Sequence, residues 1–242
     1  MDLKRMLRDK QFWLAVILAA AGMLIGASYP EMKKGDVLPA GTFLTLAKSS
    51  FQSRIVLFLV PITAVLPCGD AYIRERQWNF LRFLIIRRGK MAYARDKMMT
   101  TALSGMLVWI FGTVIAQLLF FLLFFGKEEV FCWSRELVGE LLAAAARTAL
   151  TASAFSSFSA VCGTAGDSVY LAMGLPFVLY CMLMILRERY LPQIYCIDPS
   201  EWIRAKEFWG SGQRGLWIYL ILLAVFFMAV HGMVLEKKLE EI

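Results

Sequence analysis

The sequence predicts an all-α membrane protein with six transmembrane helices, an interfacial helix before the first and a cytoplasmic helix between the second and third. Hydrophobic residues make up 59% of the 242 residues, whereas soluble domains have about 45–50%. Long apolar stretches recur along the whole chain. One connection between two of them, RERQWNFLRFLIIRRGKMAYARDK, is strongly basic. With no soluble domain recognisable, residues 1–242 are expected to form one transmembrane domain.

The first residues, MDLKRMLRDKQFW, predict a helix at the membrane surface. Leu3, Met6 and Leu7 share one face of such a helix, Phe12 is expected to join the apolar side as the first span begins, and basic residues occupy much of the rest. Amphipathic helices that lie in the membrane interface have this pattern.

Six apolar stretches have the length of a membrane-crossing helix, which needs about 20 mostly apolar residues. The predicted spans are residues 12–28, 55–72, 98–125, 137–162, 169–186 and 216–234. Pro61 and Pro67 are expected to bend the second span. Small residues recur every four positions in the fourth span, which predicts close helix packing there; they are Ala145, Ala149, Ser153 and Ser157.

The basic residues predict the orientation of the chain. Residues 74–97 hold eight Lys or Arg, more than any connection predicted on the other side. Because Lys and Arg are enriched in cytoplasmic loops, both termini are expected in the cytoplasm. We interpret the net charge of +7 as basic loops at an anionic lipid surface, and we expect no nucleic-acid partner.

The stretch at 74–97 has the pattern of a short helix with an apolar face, because Trp78, Leu81 and Ile85 follow helical spacing. Its layout resembles the cytoplasmic loop of the ABC type-2 permease family, which has the form E-x-x-G-T-L-x-x-L-L-x-x-P-x-x-R-x-x-x-x-x-K. The matching residues are Glu75, Phe80, Phe83 and Leu84, and Lys97, taken as the closing lysine, lies one position beyond its place in the pattern. The sequence departs from the pattern at Trp78-Asn79, where Gly-Thr is usual, and at Arg87, where Pro is usual.

The resemblance, which in layout covers the whole chain, implies the membrane-spanning permease subunit of an ATP-driven exporter in the bacterial cytoplasmic membrane. The partners it implies are two copies of a separate ATPase subunit, which would hold ATP and Mg²⁺, and a second permease chain of the same or another kind. The chain itself would hold no cofactor or metal and would not be an enzyme. A hydrophobic or amphipathic cargo, such as a peptide, lipid or drug, is expected.

The resemblance also implies that the basic stretch contains a coupling helix docked on the ATPase. The residues expected there are Arg74, Glu75, Arg76, Gln77, Trp78, Asn79, Phe80 and Leu81. Charged residues at its start would make polar contacts, while Trp78, Phe80 and Leu81 would fill a groove on the partner. The alternative is a basic anchor whose aromatic residues lie among the lipid headgroups.

Two charged residues in the fourth predicted span form a second candidate site. Arg147 is expected near the middle of the membrane, where an unpaired charge is costly. Glu140 lies seven positions earlier on nearly the same helix face. Together they indicate either a polar site that lines a translocation route or an interface, or a structural arrangement, in which the two pair or Arg147 reaches carbonyl groups or water.

Two other functions remain open from the sequence. One is an ATP-independent transporter, although no internal repeat of the kind common in such proteins is visible. The other is an intramembrane enzyme, for which a single histidine and the absence of G-x-S-x-G offer little support. No G-x-x-x-x-G-K-[ST] motif for nucleotide binding occurs, so an ATP-driven function requires a second polypeptide.

Cys132 and Cys196 both fall in predicted outer segments and could be paired or free.

Overall fold

The computed structural model describes residues 2–29, 41–78, 80–124, 135–210 and 213–241. The regular elements in these ranges are all helical. The α-helices are α1 Asp2–Met6, α2 Lys10–Gly26, α3 Thr42–Gln52, α4 Arg54–Val65, α5 Ala71–Gln77, α6 Phe80–Arg88, α7 Lys90–Phe124, α8 Arg135–Gly166, α9 Val169–Arg189, α10 Pro199–Arg204 and α11 Arg214–Glu240. The prediction of an all-α membrane protein agrees with this architecture.

Three helices in the described ranges, α7, α9 and α11, are long and apolar enough to cross a membrane by length and composition. A fourth crossing is obtained if α3 and α4, which are bent by 68° relative to each other, form one broken span. The structure therefore supports a membrane protein with fewer clear crossings than the six predicted. Two helices account for the difference between six and four crossings, since α2 is a short apolar helix and α8 is diluted by many Ala, Ser and Thr residues.

The bundle is centred on α7 and α8, which pack against each other and against most other long helices. A Cβ at Gly105 of α7 would lie only 2.5 Å from the carbonyl oxygen of Ala152 in α8. The Oγ atom of Ser156 in α8 donates to the carbonyl of Thr101 in α7 at 2.8 Å. Small and hydroxylated side chains thus let the two backbones approach closely. Of the predicted small-residue series, Ala149, Ser153 and Ser157 are buried and Ala145 is half-buried.

The predicted second span is interrupted. Residues 55–72 were expected to form one bent helix, but α4 ends at Val65 and α5 begins at Ala71. Pro67, which has no backbone N–H to donate, lies in the intervening turn, where Gly69 N donates to Val65 O at 3.0 Å. Pro61 is accommodated inside α4.

Other boundaries also differ from the prediction. The amphipathic start is split into α1 and α2, because the Asp9 side chain caps α2 by accepting from Gln11 N. The third span begins at Lys90 rather than at residue 98, so α7 is about 52 Å long at 1.5 Å per residue. Helix α3 lies in a predicted outer connection.

Cys132 is outside the described residues, so a bond to Cys196, a half-buried thiol, stays an open question.

We call the end of the bundle that carries α1, α5 and α6 the basal end. Ion pairs from α5 join this end together: Glu75 pairs with Arg5 of α1 and with Lys97 near the start of α7. Arg76 of α5 pairs with Asp167, in the turn between α8 and α9, and Lys238 in the last turns of α11 pairs with the same Asp167. The other end, called the distal end, carries α3 and α10. The described parts of both chain ends therefore lie at the same end of the bundle.

Candidate functional site: an anchored basal helix pair and a distal polar pocket

Glu75 is the centre of a buried polar network at the basal end, which we call the basal network. The network consists of Arg5, Glu75, Tyr93 and Lys97. Oε1 of Glu75 accepts from Arg5 of α1 at 3.3 Å. Oε2 accepts from the hydroxyl of Tyr93 at 2.7 Å and lies 2.9 Å from Nζ of Lys97. Only 7% of Glu75 and 6% of Lys97 is exposed, so this carboxylate is committed to contacts within the chain.

The two arginines beside Glu75 anchor α5 to other helices. Arg74 donates to Gln11 of α2 at 2.8 Å and to Asp70 at 2.5 Å. Arg76 forms an ion pair with Asp167, in the turn between α8 and α9. Asp167 is also bound by Lys238 of α11 at 3.0 Å. Three consecutive charged residues therefore tie α5 to four other parts of the basal end.

Asp167 is well suited to this position between two cations. Its backbone has φ of 48°, a left-handed conformation that Asp adopts more readily than most residues. Partial burial raises the pKa of Asp167, but the hydrogen bonds from Arg76 and Lys238 outweigh that effect and hold the pKa below its usual value. The hydrogen bond to Asp167 also raises the pKa of Arg76.

Helix α6 has apolar residues on both of its faces. Leu81 is buried, and Leu84 and Ile85 pack with it against Tyr72, Tyr93 and the ends of α9 and α11. The outward face carries Phe83 and Ile86, of which 69% and 83% are exposed. The helix is turned into α7 at Gly89, whose φ of 82° favours glycine.

The exposed apolar residues of α5 and α6, together with neighbouring arginines, form a surface that we call the basal patch. It consists of Gln77, Trp78, Phe80, Arg82, Phe83, Ile86 and Arg87. Trp78 is 81% exposed. Trp78 and Phe80 also line a cavity of about 470 Å³, and Cys68 and Lys97 are among its other lining residues.

The predicted coupling residues thus fall into two groups. Arg74, Glu75, Arg76 and Leu81 are bound within the chain, although part of each arginine reaches solvent. Gln77, Trp78 and Phe80 are exposed and available to a partner. Asn79 lies outside the described residues. The sequence motif predicted the whole segment as coupling residues, because it could not distinguish side chains that hold the helix from side chains that face outward.

The second predicted site, Glu140 and Arg147, lies on a pocket at the distal end, although the two residues do not bind each other. Glu140 forms an ion pair with Lys48 of α3. Nε of Arg147 donates to the carbonyl of Ile203 in α10 at 3.2 Å. The interpretation in which Arg147 reaches a backbone carbonyl agrees with this contact, and Lys48 is the partner of Glu140 that sequence spacing did not reveal.

The distal pocket has a volume of about 280 Å³. Its charged lining residues are Lys48, Glu140, Arg147 and Arg204. Nε and Nη2 of Arg204 donate to the carbonyl of Gln52, at the end of α3, at 3.2 and 2.9 Å. The floor is formed by α10, whose Trp202 packs against Phe155 of α8 and Tyr219 of α11.

The position of α10 explains why the charged residues of the distal pocket meet. Asp198 caps the helix by accepting from Ser200 N at 2.8 Å and pairs with Arg187 of α9. Ala205 ends it in a left-handed conformation. The connection between α9 and α11 is rich in aromatic and charged residues, and α10 is a short helix within it. Through Trp202, α10 contacts the buried Phe155 of α8.

The chain matches none of the protein-family models, and no curated protein matches it. The resemblance of residues 74–97 to a permease loop therefore remains a prediction from the sequence.

Proposed function

We propose that the chain is the permease subunit of an ATP-driven exporter, powered by a separate ATPase that binds the basal patch. In this proposal α2, the α3–α4 pair, α7, α8, α9 and α11 cross the membrane, and the basal end faces the cytoplasm. A second permease chain completes the route for a hydrophobic or amphipathic cargo.

The observation that carries the proposal is the contrast between the two faces of α6. Leu81 is buried on one face, while Phe83 and Ile86 are exposed on the other. On the outer face, Phe83 and Ile86 lie beside the exposed Arg82 and Arg87. Because the inner face already packs on the bundle, we expect another molecule to cover the exposed apolar residues of the outer face.

A protein partner fits this surface in size and chemistry. Exposed aromatic side chains beside arginines are typical of the central residues of protein–protein interfaces. The cavity beside Trp78 and Phe80 offers about 470 Å³ for an inserted partner side chain. A flat lipid surface would cover the patch without requiring such a cavity.

The anchoring of α5 supports a mechanical role for the same segment. A partner that moves Trp78 pulls on α5, and α5 is joined to α7 through Glu75 and Lys97 at 2.9 Å. It is joined to the α8–α9 turn through Arg76 and Asp167. Motion of the ATPase would thereby reach three long helices without any flexible connection. The role expected for Glu75 is to transmit force rather than to contact the ATPase.

Copurification tests the proposal. The tagged chain is purified from its native host, and co-eluting proteins are identified by mass spectrometry. We expect an ATPase subunit with the unaltered chain, and loss of most of it when Trp78→Ala and Phe83→Ala are combined. The control is Phe208→Ala, which removes an aromatic residue of similar exposure (79%) from the distal end. Absence of any ATPase with a chain that inserts normally would contradict the proposal.

A further inference from the structure

We propose that the distal pocket is a binding site for a phosphate group. The inference does not depend on the function proposed above, because it rests on the charge and hydrogen-bonding capacity of the pocket alone.

The first argument is charge. Three cationic side chains, Lys48, Arg147 and Arg204, line the pocket with one carboxylate, Glu140. Glu140 is bound to Lys48, which neutralises it. Neither guanidinium group forms an ion pair among the described residues, since their hydrogen bonds go to neutral backbone carbonyls. The pocket therefore carries an excess of two positive charges, which favours an anion such as phosphate.

The second argument is geometry. Arg147 is only partly exposed, and its side chain is fixed by the bond from Nε to Ile203 O. Its two terminal nitrogens donate to no partner in the part of the chain that the structure describes, so both N–H groups of the planar fork remain free. Such a fork binds two oxygens of a phosphate or carboxylate at once. Nη1 of Arg204 is a further donor on the same pocket.

The third argument is the cost of the present arrangement. A partly buried guanidinium that lacks a counter-charge is unfavourable, and the penalty is larger near the hydrocarbon of a membrane. A bound anion removes that penalty. The pocket volume of about 280 Å³ accommodates a phosphate with several waters, since a water occupies about 30 Å³.

Two sources can supply this group, namely free phosphate and the headgroup of a phospholipid. Both use the same guanidinium contacts, so Arg147→Gln is expected to weaken either ligand at least roughly tenfold, the loss typical of one charge-assisted bond. Arg147→Lys retains the positive charge but lacks the planar guanidinium group, so this variant should bind the phosphate group with intermediate strength.

The experiment measures thermal unfolding of the purified chain in detergent, because a ligand that binds the folded state raises the midpoint. One series adds inorganic phosphate, with sodium chloride at matched ionic strength as the reference. A second adds dihexanoyl phosphatidylglycerol, with dihexanoylglycerol as the uncharged reference. Arg189→Gln is the matched control, since Arg189 is an exposed arginine at the end of α9, outside the pocket.

A rise with phosphate and with the phospholipid, lost in Arg147→Gln and kept in Arg189→Gln, supports a site open to free phosphate. A rise with the phospholipid alone, lost in the same variant, supports a headgroup site. If Arg147→Gln does not fold, Arg204→Gln takes its place. The proposal is overturned if neither compound stabilises the unaltered chain, or if pocket and control variants respond equally.

Discussion

Glu75 and Lys97 form a buried ion pair, with Oε2 and Nζ 2.9 Å apart, that joins α5 to the start of α7. They bound the segment whose layout resembles a permease loop, and Lys97 lies one position beyond the closing lysine of that pattern. Within this chain the acid and the lysine close the segment into a loop held against the bundle, and the residues between them include the exposed basal patch.

Breaking this pair on one side should destabilise the protein strongly. Lys97→Met leaves a buried carboxylate without its main counter-charge, which typically costs about 3–5 kcal/mol. The combination of Glu75→Leu with Lys97→Met should be much less harmful than the sum of the single changes. Thermal unfolding of the four proteins in detergent measures this difference.

The control for this comparison of single and double variants is Glu207→Gln. It removes an exposed partner of Arg187 and should lower the free energy of unfolding by less than about 1 kcal/mol. Additive effects of Glu75→Leu and Lys97→Met would show that the two residues are not energetically coupled.

The bridge from Arg76 through Asp167 to Lys238 should make stability depend on pH. Because the folded-state pKa of Asp167 lies below the ordinary value of 3.8, its contribution is fully present above pH of about 5. It is lost as the pH falls through the folded pKa. Asp167→Asn should lower the unfolding midpoint modestly at pH 7, and the difference from the unaltered chain should shrink below pH of about 4. A difference independent of pH would contradict this assignment.

The close approach of α7 and α8 predicts that a methyl group is not tolerated at Gly105. Its Cβ would meet Ala152 O at 2.5 Å and Ser156 Cβ at 2.8 Å, and overpacking of this kind costs about 1–3 kcal/mol. Gly139→Ala in α8 is the matched control, because nothing lies within 4 Å of its added Cβ. We expect Gly105→Ala to lower the unfolding midpoint in detergent, while Gly139→Ala leaves it unchanged or raises it. Equal effects would refute the close contact.

The orientation predicted from the basic residues can be tested with introduced cysteines. In a chain lacking the native cysteines, Gln77→Cys should react with a membrane-impermeant maleimide only after cell lysis, because the basal end is expected in the cytoplasm. Phe208→Cys, also exposed, should react in intact cells. The reverse pattern would place the basal end outside.

The sequence predicted the helical class and the position of the basal segment because both follow from local signals, namely apolar length and charge density. It missed α3, although Phe43, Leu44, Ala47 and Phe51 follow helical spacing and could have revealed it. Without α3, Lys48 had no place near Glu140, and spacing along one helix suggested Arg147 instead. Contacts such as Lys48–Glu140 and Arg147–Ile203 depend on tertiary packing, which a periodic pattern does not encode.

The boundary errors have a similar origin. Residues 55–72 are apolar enough for one span, and the prolines suggested a bend. The turn at 66–70 and the separate helix α5 exist because Arg74, Glu75 and Arg76 find partners on six other residues at the basal end. The two faces of α6 were also beyond the sequence, since Leu81 and Phe83 are both apolar and only packing shows which is covered.

Site-specific photo-crosslinking from position 78 tests the central claim most directly. Benzoylphenylalanine replaces Trp78 in one strain and Phe208 in another, and crosslinked products in the native host are identified by mass spectrometry. The proposal predicts a crosslink from position 78 to an ATPase subunit and none from position 208. Crosslinks from position 78 to lipid alone, in a chain that is inserted and folded, would contradict an ATPase docked on the basal patch and favour a membrane anchor.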